Sequence, residues 1–411
     1  MLLPSARRFA DTMALDCIQG RNLLVLTGAQ LASECLRRLL DDAIGRRRGP
    51  RVQAVGLEIF SEAEQPSAFL ARHAVSNEDA FRPGATEQDT TGLPDTVFLL
   101  SGLERLSQSA QEIWAKYFHT WTLYPATSAH VLVLATSTRP GRLRDATSDT
   151  RLAVHAWWRN LSTLEIHLLC KLCTDASEEW AAARWREAVL PHIAGYDTRL
   201  IAHLWDAVLQ SEAELTAALR QHGEGLGLAR APLATLWQGL RRASGGNTDA
   251  STLVGNWGQA WSMGAVHGSD EHGVEFTAAA LAVLDKHLDL RHRMWRGQAA
   301  LLLPYLDHLR ISVCRELTST RGQDWPLRLG GRLFAGDERT RVELDPLATE
   351  FGPLEIILKE SHHTATKRFH PLIKRARLMR NALAHYQPVS LSDYRELLAE
   401  QLAVKLSPIH S

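Results

Sequence analysis

The feature that most constrains this chain is a series of short apolar runs separated by stretches of helical periodicity. Leu23-Leu24-Val25-Leu26 is followed by Thr27-Gly28 and a helical pattern from Ala32 to Asp42. Val52 to Phe60 is a second run with partial alternation, Thr96 to Leu100 a third, and His130 to Thr136 (HVLVLAT) a fourth. A strand that is apolar at every position must be covered on both faces, and intervening helices supply the crossovers. The pattern predicts an α/β domain built on a parallel sheet.

With 411 residues the chain exceeds one compact core, so two or three domains are expected. The polar stretch Ser76 to Pro94 reads as a surface loop between the second and third strands. From Ser162 to about Arg242 the pattern is helical, with Leu164, Leu168, Leu169 and Leu172 on one side of a helix. Ser244 to Gly273 is Gly-rich and reads as a linker, although Trp257 and Trp261 imply that it docks on something. The rest is helical again, with an irregular middle from Thr320 to Glu350. These breaks divide the chain into a core at 1–161, a helical segment at 162–243, a linker at 244–273 and a helical domain at 274–411.

Lys plus Arg and Asp plus Glu both total 46, so no global field draws the chain to nucleic acid or membrane, and any such affinity must be local. Five irregularly spaced cysteines do not describe a disulfide framework. Met1 to Ala14 lacks the apolar block of a signal peptide, and no apolar run reaches membrane-spanning length. A cytoplasmic protein with no membrane partner is the expectation.

A working P-loop needs glycines whose backbone N–H groups wrap phosphates, a Lys for the β/γ-phosphates and a hydroxyl for magnesium. After the first strand the sequence offers Gly28-Ala29-Gln30-Leu31-Ala32-Ser33-Glu34-Cys35. In that register Ser33 replaces the second glycine, Glu34 the Lys and Cys35 the hydroxyl residue, and Glu34 would aim negative charge at a triphosphate. The third strand ends in Ser101-Gly102 where an acid would hold magnesium. Even so, Val97 to Phe118 (VFLLSGLERLSQSAQEIWAKYF) resembles the clamp-loader branch of AAA+ proteins. VLVLATST, ending in Thr136 to Thr138, resembles the sensor strand of that family, and the helices from Ser162 to Arg242 resemble its lid. The resemblance implies a degenerate AAA+ module that binds no nucleotide cofactor and serves assembly or sensing; the competing reading is an unrelated α/β sheet.

The other motif is Met379-Arg380-Asn381-Ala382-Leu383-Ala384-His385-Tyr386. On a helix Asn381 and His385 share a face, whereas Arg380 lies about 140° from His385. Pro388 ends the helix soon after, leaving the imidazole near the end of the dipole that favours cations. An imidazole there can serve as general acid or base, and a neighbouring Arg can hold a phosphate. Leu302, Leu306, Leu309 and Val313 predict one buried helix face, and Ser390-x-x-Asp393 a capping box opening a last helix with Leu398, Leu402 and Leu406 on one stripe. From about Phe276 to the C-terminus the sequence resembles the HEPN family, an all-helical bundle marked by Arg, a polar residue and then His. The resemblance implies catalytic roles for Arg380, Asn381 and His385 in RNA cleavage. It further implies the 2′-hydroxyl as nucleophile, no metal, and a second HEPN domain completing the site. By analogy of architecture it points to antiviral or conflict defence.

Between Ser361 and Ser392 there is no Asp or Glu, while Lys367, Arg368, Lys374, Arg375, Arg377 and Arg380 supply six fixed cations. Such a patch can contact RNA phosphates, or it can be a solvated helix face. Arg291 to Gln298 (RHRMWRGQ) could help grip RNA, although Trp295 reads more readily as core. Cys170 and Cys173, with His167, lack a second pair of zinc ligands and read as packing residues. His287, His292 and His308 read as a solvated face. The leading expectation is a HEPN endoribonuclease regulated by an inactive AAA+-like module, working as a homo-oligomer or with a partner protein. The rivals are a non-catalytic scaffold or adaptor and a nucleic-acid-binding subunit of a replication-type complex.

Overall fold

A computed structural model describes residues 3–28, 31–74, 81, 96–123, 130–137, 139, 141–143, 146–158, 160–175, 177–243, 256–269 and 273–406. The expected loop at Ser76 to Pro94 therefore lies outside the described residues except for the buried Phe81. The chain separates into two compact units. One comprises Met1–Ile166, Tyr196–Arg199 and Arg220–Leu284, and the other His167–Gly195, Leu200–Leu219 and Asp285–Ser411. Among the described residues no helix is long and apolar enough to cross a membrane.

The first unit is an α/β fold on a five-stranded parallel sheet of order β2-β3-β4-β1-β5. The strands are β1 (Asn22–Leu26), β2 (Arg51–Gly56), β3 (Thr96–Ser101), β4 (His130–Thr136) and β5 (Leu152–Ala156). Every residue of β1 and β4 is buried, as their uninterrupted apolar sequences require, while edge strand β2 is mostly exposed or half-buried. Helix α1 (Pro4–Ile18) packs on α2 (Ser33–Gly45), which buries Leu36, Leu39, Leu40, Ala43 and Ile44 at helical spacing. Helices α3 (Pro66–Ala74) and α4 (Gln108–Leu123) bring Phe69 and Trp114 against Phe60 in edge-to-face contacts. Strand β5 is not among the expected strands. Its His155 accepts or donates a 2.8 Å bond with Asp16, which Arg21 also grips at 2.6 Å, so a polar residue is satisfied in a half-buried edge.

Beyond the sheet the chain forms α5 (Thr163–Cys173), α6 (Trp180–Ala194), α7 (Thr198–His203), α8 (Glu212–Gly225) and α9 (Arg230–Ala243). The expected linker at 244–273 falls partly within the described residues. It carries α10 (Asn256–Ser262) and the antiparallel ribbon of β6 (Val266–Ser269) and β7 (Gly273–Phe276), followed by α11 (Ala278–Val283). The leucines grouped on one side of α5 face outward: Leu164, Leu168 and Leu172 are exposed, while Glu165, Ile166 and Cys170 are buried. The Glu165 carboxylate is satisfied there by Ser5 N–H at 2.6 Å and by Ser162 N–H at 2.8 Å. Burial works against its charge, but those bonds prevail and hold its pKa below the usual glutamate value.

The second unit is helical. Helix α12 (His287–Arg321) runs 35 residues and buries Leu302, Leu306, Leu309 and Val313 completely. Helix α6 packs along it, and Trp185 of α6 stacks near the buried Tyr394. The irregular middle from Thr320 to Glu350 contains α13 (Trp325–Gly330) and α14 (Gly336–Leu344), and α15 (Phe351–Glu360) follows it. The buried Arg310 fixes its connection by donating to the Leu347 and Thr349 carbonyls. Helices α16 (Thr364–Lys367), α17 (His370–Ala384) and α18 (Leu391–Ala403) complete the unit. The Ser390/Asp393 capping box is present, but α18 buries Leu391, Tyr394, Leu397 and Gln401, and Leu402 is exposed.

Candidate functional site

Two places could carry chemistry, one in each unit. In the sheet, the connection from β1 runs toward β2 at one edge and that from β4 toward β5 at the other. In open parallel sheets ligands bind at such reversals, beyond the carboxyl ends of the strands. Gly28 stands there with φ +58°. The indole of Trp261, from α10, lies so close that a Cβ on Gly28 would meet its Cε2 at 2.5 Å. Trp158, just past β5, meets Trp261 edge-to-face at 5.7 Å, and both rings are buried with neither Nε1 hydrogen-bonded among the described residues. The space beside the Gly28 Cα is filled by the Trp261 indole.

Of the residues aligned with phosphate-binding positions, Glu34 is engaged within its own helix. Glu34 does not aim at the crevice as expected; its carboxylate bonds Arg37 at 2.8 Å and Arg38 at 2.9 Å on its own helix. Those bonds hold its pKa down to about 2. Ser33 and Cys35 are exposed in the first turn of α2, whose N-terminus carries no side-chain cap. At the end of β3, Gly102 adopts φ +85° with the Glu58 carboxylate so near that a Cβ would meet it at 2.6 Å. At the end of β4, Thr136 O receives Thr27 N–H at 2.9 Å, while Thr138 lies outside the described residues. Trp261, the residue that decides this region, is the tryptophan that hinted at a docked linker; the side chain of Trp257 is outside the described residues.

The second place is the end of α17. Leu372, Ile373, Ala376, Met379 and Leu383 face the core, which leaves Lys374, Leu378, Asn381 and His385 along the opposite stripe. Arg380 and His385 are exposed and Asn381 is half-buried. Arg380 curls back so that its Nη1 lies 3.3 Å from Asn381 Oδ1. His385 caps the helix, its N–H donating to the Asn381 and Ala382 carbonyls, both at 3.1 Å. The chain then turns through Tyr386 at φ +57°. Tyr386 N–H bonds the Leu383 carbonyl at 3.2 Å and Gln387 N–H that of Ala382 at 2.9 Å, the paired bonds of a Schellman motif. Glycine is the usual occupant of such a position, and a side chain there costs about 1–2 kcal/mol. Arg48, Asp285 and Lys405 also have positive φ, but Tyr386 is the aromatic member of that set.

Tyr386 is 62% exposed, and its ring leans on Trp295 of α12 with centroids 4.7 Å apart. Trp295 is half-buried, not core as its composition suggested, and donates its indole N–H to the Leu383 carbonyl at 2.7 Å. His292 stacks on Trp295 at 5.3 Å and 16°.

The basic patch divides into two sets. Arg375 pairs with Glu396 at 2.6 Å and Glu400 at 2.9 Å, Arg377 with Glu355, and Arg368 with Glu316 at 3.2 Å while lying over Phe369. These three brace neighbouring elements. Lys367, Lys374 and Arg380 have no carboxylate within ion-pair distance among the described residues. Cys170 is buried and Cys173 exposed, both as free thiols.

No protein-family model matches this sequence, and no curated protein is significantly similar to it. Among solved structures, one mutant of Thermotoga maritima RuvB is similar with 14% identity and a TM-score of 0.34, over 69% of this chain and 95% of that one. A second mutant of the same protein gives 13% identity and a TM-score of 0.34, again over 69% and 95%.

Proposed function

We propose that the helical unit is a HEPN-type endoribonuclease that cuts RNA without a metal. On this reading the α/β unit is a nucleotide-free AAA+-like module that holds it in a regulated assembly, with antiviral or conflict defence as the setting. The observation that carries the reading is the exposure of Arg380 and His385 at the end of α17, where, among the described residues, Arg380 bonds its neighbour Asn381 and no carboxylate. Residues conserving a bundle for structural reasons would reach into it; these reach outward.

In the reaction the 2′-oxygen attacks the adjacent phosphorus. The O2′–P bond forms, the P–O5′ bond breaks, and the products are a 2′,3′-cyclic phosphate and a 5′-hydroxyl. His385 takes the 2′ proton or supplies one to the leaving 5′-oxygen, and Arg380 offsets the charge gathering on phosphate oxygens. Because Arg380 and His385 diverge by about 140° around one helix, a second copy supplies the complementary group. The exposed Leu378, on the stripe with Asn381 and His385, suits such a pairing face. Purified full-length chain incubated with RNA in EDTA should yield cyclic-phosphate ends, and a 2′-deoxy nucleotide at the cut should block it. An intact substrate would overturn the enzyme and leave the non-catalytic scaffold in its place.

A further inference from the structure

We propose that Tyr386, backed by Trp295 and His292, is a stacking site for one unpaired base of single-stranded RNA, beside the phosphate held at Arg380. The inference rests on the ribonuclease reading and deepens it by naming the form of RNA the site takes.

The three rings form one continuous surface: His292 stacks on Trp295 and Tyr386 leans on Trp295. The surface is anchored, because the Trp295 indole donates to the Leu383 carbonyl and the Tyr386 backbone is held by the bonds of the helix cap. It is nevertheless open, with Tyr386 more exposed than covered. A tyrosine is held where glycine would relieve the backbone, in the residue directly after His385. An occupant must offer a flat π-face and negative charge nearby, since Lys374 and Arg380 on the same helix lack acidic partners among the described residues. A nucleotide of a single strand offers both; in a duplex the base faces are already stacked and closed to the ring.

The test uses full-length protein and a short fluorescent RNA bearing 2′-methoxy groups, which cannot supply the nucleophile. Tyr386→Gly keeps the cap, because glycine accepts the positive φ, and its melting temperature verifies the fold. It should bind the single strand at least about fivefold more weakly, the low end of base–aromatic stacking. Tyr386→Phe should bind as the wild type does, and the same sequence as a duplex should not distinguish Tyr386→Gly from wild type. Undiminished single-strand binding by Tyr386→Gly, in a protein that does cut RNA, overturns the stacking site alone. An equal loss on duplex also overturns it, as does a loss of self-association with RNA binding intact, which would make the face a protein interface. Wild-type protein that neither binds nor cuts RNA overturns this proposal together with the ribonuclease reading.

Discussion

The crevice beyond β1 and the end of α17 are both places where an anion could be held, the first by the backbone N–H groups that open α2 and the second by side-chain cations set at the carbonyl end of its helix. The two are finished in opposite ways. At the crevice an indole lies on Gly28, and the acid aligned with the phosphate-binding Lys is spent on two arginines of its own helix. At the end of α17 the polar groups are left facing outward, with cations unneutralised and an aromatic surface open. Filling one site with an indole stabilises that fold, whereas exposed cations without acidic partners contribute little to stability. On the proposed reading, the difference separates a structural unit from a working one.

The largest effect that could break this comparison is Trp261→Ala. If the indole is a packing element, its removal should cost about 3–5 kcal/mol, read as a shifted urea midpoint. Gly28→Ala should cost less, about 1–3 kcal/mol of overpacking, although positive φ adds strain. An unchanged midpoint in both would mean that the crevice is loosely closed. Calorimetric detection of magnesium-dependent ATP binding at micromolar concentration would break the contrast outright.

A smaller effect sharpens the division of the basic patch. Lys374→Ala should lower the slope of log affinity against log salt by about one without changing the melt. Arg375→Ala should lower the melting temperature by releasing Glu396 and Glu400, and leave the salt slope alone. The reverse pattern would reassign the two residues.

The smallest effect concerns pH. The folded pKa of Glu165 lies below its ordinary value, so its stabilising contribution is fully present above that value and lost as pH falls through the lowered one. Glu165→Gln should therefore flatten the acid side of the stability curve; an unchanged acid limb would count against the bonds from Ser5 and Ser162.

Strands β1, β3 and β4 were legible because burial on both faces leaves a run of consecutive apolar residues in each, and the α12 face because its spacing is long and regular. Strand β5 was hidden by His155, whose polarity is answered by Asp16 at a sequence separation no local pattern reveals. The leucines of α5 mark an amphipathic helix but not its orientation, which the bonded Glu165 reverses. The contact of Trp261 with Gly28 joins distant segments and left only a tryptophan in a Gly-rich stretch as a hint. The acid-free window around Arg380 was legible, yet Glu316, Glu355, Glu396 and Glu400 lie outside it in sequence and reach in from other helices. Arg380, Asn381 and His385 were found as a pattern, and their exposure came from the packing of α17.

The most direct test of the account compares RNA cleavage in EDTA with thermal melting for wild type, Arg380→Ala and His385→Ala. The account predicts cleavage by the wild type, a loss of at least about 100-fold in each variant, and unchanged melting, because neither side chain is buried. A His385→Ala chain that still cuts RNA at the wild-type rate would contradict it, as would a wild type that does not cut and variants that melt early.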